Sequence, residues 1–250
     1  MAKSKGRLTL PSERNFLAQT QELLDRWGAD AIRDSDGTKL EEAVKDLDAS
    51  IYTTYFVARN HNDFIKDHME ECQQLYLMSP FHTASQESLA IDFMQGYYRE
   101  QVVPDYHHDP KEWWEVINRT TGQVVPSSQW QVDQERDLVL VEGAEPFHEY
   151  TVSFLVYKIW DPTQMYNHIT NNWGDSVAHD IPFDVRQPHS NRFMSDYLRR
   201  WCQENPKTDV VRFTTFFYHF TLVFNDKAKE KFVDWFGYGA SVSTAAILAF

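Results

Sequence analysis

The sequence predicts an α/β fold, an incomplete (β/α) barrel of about its first half, with a small antiparallel β insertion. Three observations carry this. Apolar strand segments alternate with amphipathic helices, the signature of βαβ units and a parallel sheet. One stretch, residues 113–141, breaks that rhythm with short alternating runs and turn residues. Only about four core strands are found, where a closed barrel needs eight.

Each element is read from its own residues. Pro11-Ser12 offers a helix start, Phe16, Leu17, Leu24 and Trp27 recur at helical spacing, and Gly28 supplies the stop. Ala29–Arg33 is a short apolar strand running into the polar turn Asp34-Ser35-Asp36-Gly37. A second helix is expected over about residues 38–47, and Ser50–Phe56 is the next strand. Phe64, Ile65, His68, Met69 and Cys72 mark a third helix; Leu89, Phe93, Met94, Tyr97 and Tyr98 mark a fourth. Within Trp113–Val141, Thr121-Gly122 and Glu135-Arg136-Asp137 are the turns of the insertion. Thr151–Trp160 forms a long apolar strand ended by Asp161-Pro162. A helix with Phe193, Tyr197, Leu198 and Trp201 on one face precedes the strand Asp209–Thr215. A last helix is expected within Gly239–Phe250; its apolar end, Ala245–Phe250, reads as the truncated end of a longer enzyme, because natural termini are usually exposed and polar.

Composition narrows the function. The chain has 250 residues, and its 24 Lys+Arg against 37 Asp+Glu leave a formal charge of −13. That balance argues against nucleic acid and against anionic membrane surfaces. No apolar run approaches the roughly 20 residues of a membrane span. Cys72 and Cys202 form no metal-spaced pair and read as reduced thiols of a cytoplasmic protein. No secretory signal follows the basic start, so the sequon at Asn118-Arg119-Thr120 is a chance match.

In α/β folds, ligands meet residues at the carboxyl ends of strands. Arg33 ends the first strand and Arg212 lies in the last. Guanidinium forks suit a phosphate or carboxylate, although each arginine could instead pair with a local carboxylate such as Asp34 or Asp36. Asn167 could read a sugar hydroxyl or N-acetyl group, or serve as a helix cap. Trp160, Trp173, Phe217 and Tyr218 could stack on sugar faces or simply fill the core. Asp161 is a strand-end carboxylate, but Asp before Pro also initiates turns. His107-His108-Asp109 lacks a third ligand, so no metal is expected. Asp105, Asp109 and Glu112 read as a solvated charge run.

Longer strings are more specific. Gly6–Glu13, Trp27–Gly37, Ile159–His168 and Asp209–Tyr218 together closely resemble the N-terminal part of the 1,3-beta-galactosyl-N-acetylhexosamine phosphorylases, the lacto-N-biose or galacto-N-biose phosphorylases. The resemblance covers essentially the whole chain and about the first third of the family's length. It implies a TIM-like barrel and an inverting enzyme that splits Gal-β1,3-GlcNAc or Gal-β1,3-GalNAc with inorganic phosphate. The products would be α-galactose 1-phosphate and an N-acetylhexosamine. It implies that Arg33 and Arg212 line the galactose and phosphate pocket and that Asn167 contacts the acceptor sugar. Pro162, Thr163 and Tyr238 would border that acceptor subsite. No cofactor is implied, since phosphate is a substrate, and a homodimer is the expectation for the full-length enzyme. The family's general acid, an aspartate, has no counterpart before residue 250, so the fragment is expected to be inactive alone. A glycoside hydrolase of the same fold and a non-catalytic sugar-binding module are the competing readings.

Overall fold

The computed structural model describes residues 8–35, 39–57, 60–214, 222–224, 231–233 and 239–250, without the side chains of 163, 166, 214, 222–224, 231–233 and 239–241. In chain order the elements are β1 (Thr9–Ser12), α1 (Leu17–Trp27), β2 (Ala31–Asp34), β3 (Ser50–Phe56), α2 (Asn62–Ile65), β4 (Gln74–Met78), β5 (His82–Thr83), β6 (Ser88–Asp92) and β7 (Val102–Pro104). Then come α3 (Pro110–Trp113), β8 (Glu115–Asn118), β9 (Gln123–Val124), β10 (Trp130–Asp133), β11 (Leu138–Glu142), β12 (Glu149–Lys158) and α4 (Pro162–Thr170). The chain continues with α5 (Pro188–Glu204), β13 (Val210–Thr214), β14 (Leu222–Phe224), β15 (Lys231–Val233), β16 (Gly239–Val242) and α6 (Thr244–Ala249). Two compact units result: residues 1–57 with 192–215, and residues 58–191 with 216–250.

The first unit is a parallel sheet in the order β1-β2-β3-β13. Leu10, Ile32 and Ile51 sit side by side in register and bury against Leu24 of α1 with Leu40 and Val44. Further along the same face, Tyr55 and Phe213 are paired. Their rings meet edge-on at 5.6 Å, and Trp201 of α5 closes on Tyr55 at 5.4 Å. Helix α1 ends where Gly28 turns left-handed at φ 61°, a conformation that costs glycine nothing.

The second unit is mainly antiparallel. Strand β12 is its spine, pairing with β4, β5, β7 and β8, while β10-β11-β6 forms a separate three-stranded sheet. Phe93, Trp114 and Phe154 fill the core between them at ring separations of 4.9 to 5.8 Å. No closed barrel forms among the described residues. No helix among them is long and apolar enough to cross a membrane.

Several expected elements differ. Pro11-Ser12 lies in a strand, β1, and the helix starts only after Phe16. Residues 38–47 yield one 3-10 turn, Val44–Asp46, and the 62–72 stretch yields one α-turn and a 3-10 turn at Met69–Glu71. Leu89 belongs to strand β6, not to a helix, because Leu89 and Ile91 pair with Val141 and Val139. Thr151–Trp160 is strand as expected, ending at Lys158, but its neighbours run antiparallel. A strand buried on both faces reads as continuously apolar in either kind of sheet. The antiparallel region therefore extends well beyond residues 113–141. Gly239–Val242 is strand β16, and the helix starts at Thr244.

Candidate functional site

Strand register places the two arginines. Arg33 pairs with Tyr52, and Arg212 pairs with Thr54. Tyr52 and Thr54 are two residues apart on β3, so all four side chains leave the same face of the sheet. It is the face opposite Ile32, Ile51 and Tyr55, and so opposite α1 and the packed part of α5. With one strand between them and a two-residue stagger, the arginine Cα atoms lie about 12 Å apart. Two extended arginine side chains are long enough to span that gap.

Among the described residues, neither guanidinium is paired with Asp34, one of the carboxylates that the sequence offered Arg33. Arg33 Nη1 donates to the main-chain carbonyl of Asp34 at 3.0 Å. The Asp34 carboxylate, itself buried, accepts from Thr54 N at 2.7 Å and from the Thr54 hydroxyl. Asp36 lies outside the described residues. Arg212 is half-buried, and its Nη1 is shut off from solvent with no hydrogen-bond partner among the described residues. A buried N–H left unpaired costs about 1–3 kcal/mol, and more on a charged group. Such a donor calls for an acceptor.

The second unit carries Asn167 and Pro162 on α4. Asp161 is the helix cap: its Oδ1 accepts from Gln164 N at 2.8 Å, and Pro162 occupies the first helical position, where a missing N–H costs nothing. That assigns Asp161 to capping rather than acid catalysis. Asn167 is half-buried in mid-helix, its carbonyl accepting from Asn171 N at 2.9 Å, so it is not a cap. The side chain of Thr163 and all of Tyr238, Phe217 and Tyr218 lie outside the described residues.

Trp160 is not a sugar platform. It is buried, its ring stacks on His179 at 3.3 Å and 8°, and its Nε1 donates to Gln164 Oε1 at 2.5 Å. His168 meets both rings edge-on, and its buried Nδ1 has no hydrogen-bond partner. Burial, then the neighbouring His168, holds the His179 pKa below the ordinary histidine value. This cluster braces α4 from behind. Trp173 stays partly exposed at its edge, 6.0 Å from His168.

The His107-His108-Asp109 loop is structural. Asp105, fully buried rather than solvated, accepts from His107 N, His108 N and Gln74 Nε2 and meets His108 Nδ1 at 2.9 Å. Asp109 caps α3 through Lys111 N. The sequon residue Asn118 is buried against Tyr150 and His148. Cys72 and Cys202 are both free.

Residues 6–250 match the model of the "Lacto-N-biose phosphorylase N-terminal TIM barrel domain" family. The chain belongs to this family. A 1,3-beta-galactosyl-N-acetylhexosamine phosphorylase of Bifidobacterium longum subsp. longum is 51% identical over 98% of this chain. A second protein of that name, from Lachnoclostridium phytofermentans, is 50% identical over 96% of it. A D-galactosyl-beta-1->4-L-rhamnose phosphorylase from the same organism is 37% identical over 99%. The chain spans about a third of the length of these relatives (32%, 33% and 34%). The family assignment makes the parallel sheet of the first unit part of a barrel wall.

Proposed function

We propose that this chain supplies the anion-binding wall of an enzyme that cleaves Gal-β1,3-GlcNAc or Gal-β1,3-GalNAc with inorganic phosphate, inverting the anomeric centre to give α-galactose 1-phosphate. The observation that supports it most is the pair of arginines on one sheet face, with the Arg212 Nη1 buried and unpartnered. Phosphate is already an anionic nucleophile and needs no general base. It needs cations to hold it in line, and it needs a separate acid to protonate the leaving oxygen. Arg33 and Arg212 fill the first need; the acid is not among the residues assigned here. In this reading Asn167 contacts the N-acetylhexosamine, with Pro162, Thr163 and Tyr238 bordering it. The reaction needs no cofactor. The names of the relatives support the substrate class, and the rhamnose phosphorylase among them points to the acceptor side as the variable part.

The test is phosphorolysis by full-length protein, wild type against Arg212→Ala. Loss of one charge-assisted contact, about 1.5–3 kcal/mol, raises KM for phosphate about 10- to 150-fold. Unchanged turnover at limiting phosphate removes Arg212 from the site. Release of free galactose without phosphate dependence identifies a hydrolase instead.

A further inference from the structure

Within the second unit, one cluster gathers groups that sequence spacing could not connect. His68, Glu70 and His189 each offer a ligand atom, and these atoms lie within 4.8 Å of one another. We propose that His68, Glu70 and His189 form a surface site for a divalent transition-metal ion, with Zn²⁺ the fitting member, that pins residues 68–70 to the start of α5.

The donor set selects the ion. Two imidazole nitrogens and one carboxylate oxygen suit Zn²⁺ and its late first-row neighbours, whereas Ca²⁺ and Mg²⁺ take oxygen ligands. The rings of His68 and His189 are stacked at 4.6 Å and 14°, and His68 Nδ1 is 3.6 Å from Glu70 Oε1. Ligands about 2.1 Å from a tetrahedral ion sit closer together than 4.8 Å, so binding draws the three inward by roughly 1 Å. The partly exposed His68 and Glu70 side chains have that freedom.

The outer groups strengthen the assignment. His189 Nδ1 lies 2.8 Å from Glu71 Oε1. Glu71 is buried, and its carboxylate accepts from the Ser190 hydroxyl and from the N–H groups of Ser190 and His189. With Nδ1 donating to the Glu71 carboxylate at that distance, Nε2 keeps its lone pair for a metal ion. This carboxylate–histidine pairing is the support that metal-bound histidines characteristically have. His68 is steadied on its other side by Phe64, whose ring centre is 4.9 Å away.

The experiment is titration of the metal-stripped 250-residue chain with Zn²⁺ against a chromophoric chelator, and with Co²⁺ read by its visible absorption. The wild type is expected to take up one equivalent and to show the intense visible bands of tetrahedral Co²⁺. His68→Ala and Glu70→Gln are each expected to weaken that site about 10-fold or more, judged against the ligand-support losses of 10–100-fold. Glu70 is half-exposed, so its variant decides the matter even if His68→Ala fails to fold. The proposal is overturned by the absence of a saturable one-equivalent site, or by equal uptake in wild type and variants, which would put the ion on other histidines.

Discussion

Lys158 closes the spine strand β12 in the wrong company. Its main chain is satisfied, the N–H donating to Gln73 O at 2.8 Å, but its Nζ is fully buried without a hydrogen-bond partner. Burial pulls its pKa down to about 8, with Asp161 only partly opposing. The interval from about 8 to the ordinary 10.5 corresponds to a penalty of about 3 kcal/mol on the charged form in the folded state. The sign follows from proton counting. Between pH 8 and 10.5 the unfolded chain binds more protons at this site than the folded one, so stability rises with pH across that window; below pH 8 both states are protonated and the full penalty applies. Lys158→Met keeps the stem volume and removes the charge. It should stabilise the protein at pH 7 by about 2–3 kcal/mol, after about 1 kcal/mol at most for imperfect repacking. Urea unfolding of both proteins at pH 7 and again above pH 10 measures this. The advantage should shrink toward zero at the higher pH, because the folded lysine is then neutral and the unfolded one loses its proton as pH passes 10.5. A variant less stable than wild type at pH 7, with a gap that does not narrow as pH rises, would show that Nζ has a charged partner and would refute the reasoning.

Two further outcomes are expected. The pKa of Glu71 is lowered in the fold, so its contribution is present above the ordinary 4.5 and is lost as pH falls through the folded value; Glu71→Ala should flatten the acid limb of the stability curve and cost about 2–3 kcal/mol at pH 7, read by unfolding at pH 7 and below pH 4. Phe147 stands in the left-handed region at φ 70° with its ring 85% exposed, so Phe147→Gly should relieve strain and raise stability by about 0.5–1 kcal/mol, whereas a lowered Tm would show that the ring packs on something.

Local signals were read correctly where local physics decides. Ser50–Phe56 is strand over those same bounds, Gly28 ends α1 at φ 61°, and the run of apolar residues around Tyr197 and Trp201 is the buried face of α5. The failures cluster where a distant partner overrides a local pattern. Leu89, Phe93 and Met94 have helical spacing, yet β11 captures Leu89 and Ile91 into a sheet from about fifty residues away in sequence. Pro11-Ser12 resembles a helix start, but β1 pairs with β2, and the Ser12 hydroxyl reaches Thr20 at 2.8 Å across the turn. Asp105 looked like one charge in a solvated run. It is fully buried because His107, His108 and Gln74 together supply the donors a carboxylate needs.

The candidate site divides in the same way. That Arg33 and Arg212 sit on strands was legible from the apolar runs that contain them. That they share a face was not, because parity across a parallel sheet depends on register, and register depends on β3 lying between them. A slip of one residue in the β3–β13 pairing would turn Arg212 toward the face of Tyr55 and Trp201, away from Arg33. The Tyr55–Phe213 contact therefore does more than fill a core. By holding Phe213 on the helix side it holds Arg212 on the other, so the packing of the sheet on α5 fixes where the positive charge is delivered. Asp34 has a parallel part on the far strand. Clamping Thr54 N and its hydroxyl ties β2 to β3 beside the arginines, and it engages the Asp34 carboxylate. Of the local carboxylates the sequence offers Arg33, Asp34 is thus engaged by Thr54 instead.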